Sequence, residues 1–258
     1  MVNSLLVSSV LFLAVSSSVI AAPTSKKQIV FDLCKKNDPN VDKCLKTSIQ
    51  NVIPDLGEGY PKLRIPAIEP FELPSLEINH GKGSSKSVSI DLKMKDVKIN
   101  GLTSTVIDSL KTDLDNYKLN AKISFKKPLE ITGQYTVNGK VLVLPITGSG
   151  ACKIVLNEPK LDLNELISTP YEKNGKTYIQ VKKMNLNLVN VKKLNLRLEN
   201  LFNGNKQLGD SMNTILNENW PVLLEELKPA FEEAIATIAV DIINKALQKT
   251  PYTDIFAQ

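Results

Sequence analysis

Residues 87–102, SVSIDLKMKDVKINGL, carry the main clue to the architecture. Val88, Ile90, Leu92 and Met94 fall on one face of an extended chain, and Ser89, Asp91, Lys93 and Lys95 on the other. Strand side chains alternate between faces, so this is a half-buried strand with one oily side and one wet side. The beat slips by one at Asp96 and resumes with Val97 and Ile99, as it does across a bulge. So oily a face needs a cover.

The same parity recurs downstream. It runs through Tyr117, Leu119, Ala121, Ile123 and Phe125, then through Leu129, Ile131, Gly133, Tyr135 and Val137. Met184, Leu186 and Leu188, then Leu194, Leu196 and Leu198, repeat it. Asn138-Gly139 and Asn174-Gly175 are read as tight hairpin turns, because both central residues of such a turn need positive φ. Gly133 and the slip at Asp96 mark places where the sheet bends. Half-buried strands joined by hairpins make an antiparallel sheet, oily on one side and wet on the other.

Other segments flank the strands. Ile29 to about Ile53 has helical spacing interrupted by NDPN at 37–40. Pro61, Pro66, Pro70 and Pro74 are too close together for a helix, so that stretch is expected to run extended along a sheet edge. NHGKGSSKS at 79–87 is read as a loop. After Asn205 the period is helical. Pro221 suits a helix start and Pro229 is expected to kink it.

From Ala230 the apolar residues come in pairs, Ala230/Phe231, Ala234/Ile235, Ile238/Ala239, Ile242/Ile243 and Ala246/Leu247, each four residues after the last. Each step overshoots a full turn by about 40°, so the stripe walks about 160° around the helix. Such a helix needs a cover that curves around it. The fold class is therefore α+β, a strongly curved antiparallel sheet wrapped around a long C-terminal helix.

LLVSSVLFLAVSSSVIAA at 5–22 is too short and serine-flanked for a membrane span and suits a secretory leader cleaved after Ala21. The mature chain, 22–258, is expected to be one secreted, extracellular domain. A net charge of +5 over 258 residues, with lysines alternating among apolar residues, is too dilute for nucleic acid. Aromatic residues are 5%, which offers little for base stacking. Of three cysteines, Cys34 and Cys44 are close in sequence, and a disulfide there would contribute about 2–3 kcal/mol. Cys152 shares a face with Ile154 and Leu156 and is read as a small core residue.

No catalytic constellation emerges. The single histidine, His80, is read as a solvated loop residue. GSG at 148–150 is a turn between strands, not a nucleophile elbow. NGKT at 174–177 lacks the upstream glycine of a phosphate loop, since that position is Pro170. One histidine and a paired cysteine set leave too few ligands for zinc. No enzyme, metal or cofactor is expected.

Several blocks resemble the insect takeout and juvenile-hormone-binding family: LCKKNDPNVDKCL at 33–45, LRIPAIEPFELP at 63–74, ITGQYTVNGKVLVLPITGSG at 131–150, LFNGNKQLGDSMNTILNENWPVLLEELKPAFEEAI at 201–235 and TPYTDIF at 250–256. The resemblance spans nearly the whole mature chain. It implies a single barrel like that of the tubular lipid-binding superfamily, with a small hydrophobic ligand (terpenoid, juvenile-hormone-like or fatty acyl) in a tunnel between helix and sheet. Cys34 and Cys44 match the family's N-terminal disulfide. Cys152 has no partner for the second disulfide of the hormone-carrier branch, which places the chain nearer takeout.

The expected function is thus a secreted, non-catalytic carrier; the alternative is a secreted interaction or signalling protein with a filled core. Candidate ligand-binding residues are the inward ones: Ile90, Leu92, Met94, Ile123, Phe125, Ile131, Tyr135, Leu186, Leu188, Trp220, Phe231, Ile235, Ile238 and Ile242. A buried Tyr135 hydroxyl needs a partner, which a ligand oxygen or a backbone carbonyl would supply. The expected partner is the hydrophobic ligand, with transient membrane or receptor contact; the chain is read as a monomer.

Overall fold

A computed structural model describes residues 29–81, 88–142 and 144–257; the expected leader with its cleavage after Ala21, and residues 82–87 of the expected loop, lie outside the described residues. In chain order the elements are β1 (Cys34–Lys35), α1 (Val41–Val52), β2 (Phe71–His80), β3 (Val88–Asn100), β4 (Thr105–Asp113), β5 (Lys118–Phe125), β6 (Leu129–Val141) and β7 (Leu144–Asn157). They continue with β8 (Lys160–Lys173), β9 (Lys176–Asn190), β10 (Lys193–Leu198), α2 (Lys206–Glu218), α3 (Trp220–Leu247) and β11 (Phe256–Ala257).

The curved antiparallel strands and the long C-terminal helix are both present, with the strands divided between two sheets that do not close into a barrel. One sheet has the order β10-β7-β6-β3-β2 and the other β4-β5-β8-β9. The chain visits them in turn: β2–β3, β4–β5, β6–β7 and β8–β9 are successive hairpins placed alternately in the two sheets. The inward parity of β3 is as the sequence spaced it, with Val88, Ile90, Met94 and Val97 all buried. Asp96, at φ 50°, makes the bulge. Lys95 pairs with Gln134 and Lys98 with Thr132, so Asp96 and Val97 together oppose Gly133. A side chain at Gly133 would meet the Lys95 carbonyl at 2.9 Å, which explains the residue there.

Asn174-Gly175 is a tight turn with φ 51° and 69°. Asn138-Gly139 is not. Both residues lie inside β6, paired with Asp91 and Ile90, and the hairpin turns later, where Val141 pairs with Leu144. Gly139 is required there by close approach of β3, since a Cβ would sit 2.1 Å from the Ser89 carbonyl oxygen.

The N-terminal helix is shorter than its spacing implied. Cys34–Lys35 instead pairs in parallel with Phe256–Ala257 at the other end of the chain, and this tertiary pairing overrides local helical preference. The proline-rich stretch begins with a short 3-10 turn at Pro61–Leu63 and becomes the edge strand β2 from Phe71. His80 ends that strand and is not a loop residue.

The sheet edges are closed by helix side chains. Asn213 of α2 receives the Leu198 N–H at 2.9 Å and donates to the Leu198 carbonyl at 2.9 Å. One turn on, Asn217 treats Leu196 in the same way, at 2.9 and 2.7 Å. Both clamp the free edge of β10. On the second sheet, Asn244 of α3 makes the same pair with Val181 of β9, and Glu232 accepts from the Leu188 N–H. At the opposite edge, Gln50 of α1 bonds the Thr105 carbonyl and the Ile107 N–H, and Asp42 accepts from the Thr112 N–H. An exposed edge is a template for aggregation, and here amide and carboxylate groups take the place of the missing neighbour strand. The β2 edge carries Pro74, which has no N–H to offer.

Helix α3 runs unbroken through Pro229. It packs chiefly along β9 and also touches β2, β3 and β10, so it bridges the two sheets. A strip through Glu225, Pro229, Glu233, Thr237, Asp241 and Lys245 faces water. The cover thus wraps most of the helix but not its whole circumference. The main core lies where α2 and the start of α3 meet the five-stranded sheet, around Val88, Met94, Val97, Tyr135, Leu201 and Met212.

Candidate ligand-binding site

The walking stripe of α3 leaves space against each sheet in turn, and two apolar cavities result. The larger, about 480 Å³, lies over the four-stranded sheet. Its floor includes Ile107, Leu110, Ala121, Ile123, Leu163 and Val181; its walls are Leu45 and Ile49 of α1, Ile243 and Leu247 of α3, and Tyr252, Ile255 and Phe256 of the C-terminal segment. The smaller, about 130 Å³, lies between the five-stranded sheet and the first half of α3. No α3 residue between Phe231 and Ile243 lines either one, an interval of twelve residues or about 18 Å of helical rise. Two cavities near opposite ends of α3 stand where a single tunnel was expected.

Ile90, Leu92, Met94, Tyr135, Trp220 and Phe231 line the smaller cavity, and Ile123 lines the larger. Phe125, Ile131, Leu186, Leu188, Ile235, Ile238 and Ile242 line neither. Ile131 packs against the main core, and Ile235 is 45% exposed. Most of the larger cavity was missed, although Leu119 and Ala121 belonged to the strand parity already noted. Alternation shows that a side chain points inward, not whether anything meets it there.

The Tyr135 hydroxyl donates to the Glu199 carbonyl at 2.7 Å, so its partner is backbone and not ligand. Burial, with smaller contributions from Cys152 and Glu199, pushes its pKa up to about 12. Cys152 is buried with its Sγ 3.4 Å from the Gly133 carbonyl, and burial raises its pKa as well. It is an unpaired core thiol. His80 is buried at its side chain, with Nε2 3.5 Å from a carboxylate oxygen of Glu226, so it is not a solvated group.

The end of the larger cavity is tied down by several bonds. Cys34 and Cys44 form a disulfide with Cα atoms 5.8 Å apart, joining β1 to α1. Because β1 also pairs with β11, the disulfide links the α1 wall to the C-terminal wall. The Tyr252 ring lies 5.4 Å from that of Tyr117, tilted at 57°, and 5.4 Å from that of Phe256, edge to face. Lys36 lies over the Tyr252 ring at 5.8 Å and pairs with Asp115.

This geometry has recognisable relatives. The family model for haemolymph juvenile hormone binding protein matches residues 9–257. The chain belongs to that family. Among its relatives is the circadian clock-controlled protein daywake of Drosophila melanogaster, 30% identical over 227 residues, or 86% of this chain and 85% of that one. A putative beta-carotene-binding protein of Schistocerca gregaria is 21% identical over 221 residues, covering 85% of each. The crystal structure of Takeout 1 from Epiphyas postvittana matches with a TM-score of 0.72 and 27% identity, covering 88% of this chain and 99% of that one. The juvenile hormone binding family is a carrier fold for hydrophobic ligands, and the two sheets with a long C-terminal helix are its takeout form.

Proposed function

We propose that this protein is a secreted, monomeric, non-catalytic carrier of a small hydrophobic molecule, held in the larger cavity. The observation that carries the reading is the cavity itself, about 480 Å³ with a wall almost wholly of hydrocarbon. That size falls within the usual range for small-molecule sites. Burying about 300 Å² of apolar ligand surface contributes about 7 kcal/mol before the costs of immobilisation. After those costs the expected affinity is on the order of micromolar. Extracellular residence is supported by the Cys34–Cys44 disulfide, since such bonds persist in oxidising compartments. Among the described residues no helix is long and apolar enough to cross a membrane.

The test is displacement of a fluorescent apolar probe such as N-phenyl-1-naphthylamine, together with native mass spectrometry of protein from its own source. Terpenoids or fatty acyl compounds should displace the probe. Ala121→Trp, which places an indole inside the larger cavity, should abolish probe binding while leaving the circular dichroism unchanged. A wild-type protein that binds no apolar probe and carries no lipid would overturn the carrier reading.

A further inference from the structure

The hairpin joining β8 to β9 runs past its sheet. β5 pairs with β8 only as far as Ile167, opposite Lys118, and β9 is the outermost strand. Beyond Ser168 the two strands therefore continue as a ribbon of their own to the turn at Asn174-Gly175. Ser168 and Val181, a cross-strand pair, are both buried and set the parity of the ribbon. The pairs Tyr171/Tyr178 and Lys173/Lys176 then share the outer face, and so does Lys182. Contacts within the face agree. The Tyr171 and Tyr178 rings stack 5.7 Å apart at 27°. The Lys173 ammonium lies 5.9 Å over the Tyr178 ring, and that of Lys182 donates to Gln180 at 2.6 Å.

The tyrosine pair has a use in the fold, since a lone two-stranded ribbon is marginal in water and a stacked cross-strand pair steadies it. The lysines have none. Lys173 stands directly opposite Lys176, and like charges so placed destabilise a strand pair. Glu172, the one acidic residue between Thr169 and Lys182, is on the other face, where it accepts from the Thr177 hydroxyl at 2.6 Å. Other strand lysines are met by carboxylates: Lys183 by Glu165 at 3.6 Å, Lys98 by Glu72 at 3.0 Å and Lys153 by Glu130 at 2.8 Å. The ribbon lysines thus wait for anions from outside the chain. None of the five residues lines either cavity, but Ile179, next to Tyr178, lines the larger one. The charged face begins one residue from the cavity wall.

We propose that this outer face of the β8–β9 ribbon, formed by Tyr171, Lys173, Lys176, Tyr178 and Lys182, is a docking site for an anionic lipid surface. A headgroup layer uses both kinds of residue. Its phosphates and carboxylates meet the ammoniums, and tyrosine rings settle at the boundary between headgroups and acyl chains. Each lysine brought near such a surface strengthens binding about fivefold. The face lies outside both cavities, so the proposal goes beyond the carrier reading and does not depend on it.

The experiment is flotation of the full chain with vesicles of phosphatidylcholine, with and without phosphatidylserine. Wild type should float with the anionic vesicles, not with the neutral ones, and should come off at high salt, where surface charges are screened. Lys173→Ala/Lys176→Ala/Lys182→Ala should weaken binding by about 100-fold. The control Lys93→Ala/Lys98→Ala/Lys153→Ala removes the same charge from the other sheet and should stay within about threefold of wild type. Tyr171→Thr/Tyr178→Thr, which keeps strand-forming residues, should weaken binding while leaving its salt dependence intact. Unchanged circular dichroism reports that each variant is folded. Wild type that floats with neither vesicle, a control triple that loses as much as the ribbon triple, or a tyrosine variant equal to wild type would each overturn the proposal. Retention on polyglutamate without flotation assigns the face to an acidic protein and overturns it as well. The carrier reading stands in all these cases, because it is decided by probe binding in the cavity.

Discussion

Replacing Asn244 by alanine tests whether helix side chains hold the sheet edges together. The Asn244 Oδ1 accepts the Val181 N–H at 2.8 Å and its Nδ2 donates to the Val181 carbonyl at 3.1 Å. Val181 is 2% exposed and lies on the outermost strand of its sheet, so no neighbouring strand or water stands ready to replace those bonds. Truncation strands one donor and one acceptor, at about 1–3 kcal/mol each. Alanine's better helix propensity returns about 0.5 kcal/mol. The net expectation is a loss of about 1.5–5.5 kcal/mol, against about 1 kcal/mol for an ordinary substitution. The control is one residue away. Lys245 pairs with Asp241 at 2.6 Å, both half exposed, and an exposed pair at that spacing contributes about 0.3–0.5 kcal/mol. Urea unfolding should show Asn244→Ala shifted well below Lys245→Ala at unchanged m-value. Hydrogen exchange should show loss of protection at the Val181 amide. Equal stability of the two variants, with Val181 still protected, would refute the clamp.

Three further outcomes follow from the same contacts. Glu69 receives the Gly101 N–H, the Thr103 N–H and the Thr103 hydroxyl; burial opposes its charge, but these bonds and Lys127 prevail and its pKa is lowered. A lowered carboxyl pKa stabilises above the unfolded value and the benefit is lost as pH falls through the folded one, so Glu69→Gln should cost about 1 kcal/mol at neutral pH, partial exposure allowed for, and nothing in acid-titrated unfolding curves below both values. Tyr135, raised to about 12 by burial, keeps its proton when the unfolded chain has lost it, so stability should fall as pH rises from about 10 through 12, and Tyr135→Phe should remove that fall in alkaline urea titrations at a cost of about 1–2 kcal/mol near neutrality. Replacing Cys34 and Cys44 together by serine should lower stability by about 2–3 kcal/mol and, because the bond ties α1 to the C-terminal wall, accelerate probe release in stopped-flow displacement; unchanged release would show that the ligand leaves by another route.

What was legible in the sequence, and what was not, divides along a physical line. The parity of β3 and its slip at Asp96 are local, because each side chain's face depends only on its place in the strand, and the structure keeps both. Asn174-Gly175 was equally local. Gly139 was misread as a turn because a glycine demanded by a neighbouring strand 2.1 Å from its absent Cβ looks the same in sequence as a glycine demanded by positive φ. The segment around Cys34 was misread for a similar reason, as its partner lies at Phe256, at the far end of the chain. Asn213, Asn217 and Asn244 looked like ordinary polar helix residues; only the free backbone groups of Leu198, Leu196 and Val181 reveal their use.

The cavity is the hardest case, since inward leucines line a hollow as readily as they fill a core. Yet the walls do carry a trace of the hollow. On adjoining strands the inward series are interrupted by small residues, Ala121 between Leu119 and Ile123 on β5, and Ser168 two places beyond Leu166 on β8. A protein interior is close-packed, so small inward residues must be met by large ones opposite if no space is to remain. Facing them, α3 contributes only Ile243 and Leu247 to the cavity wall, whereas Trp220 and Phe231 line the smaller cavity at the other end. The bulky aromatics of the helix stand over one sheet and the small strand residues lie in the other. That mismatch, set by where the walking stripe meets each sheet, is why the larger cavity opens at the C-terminal end of α3.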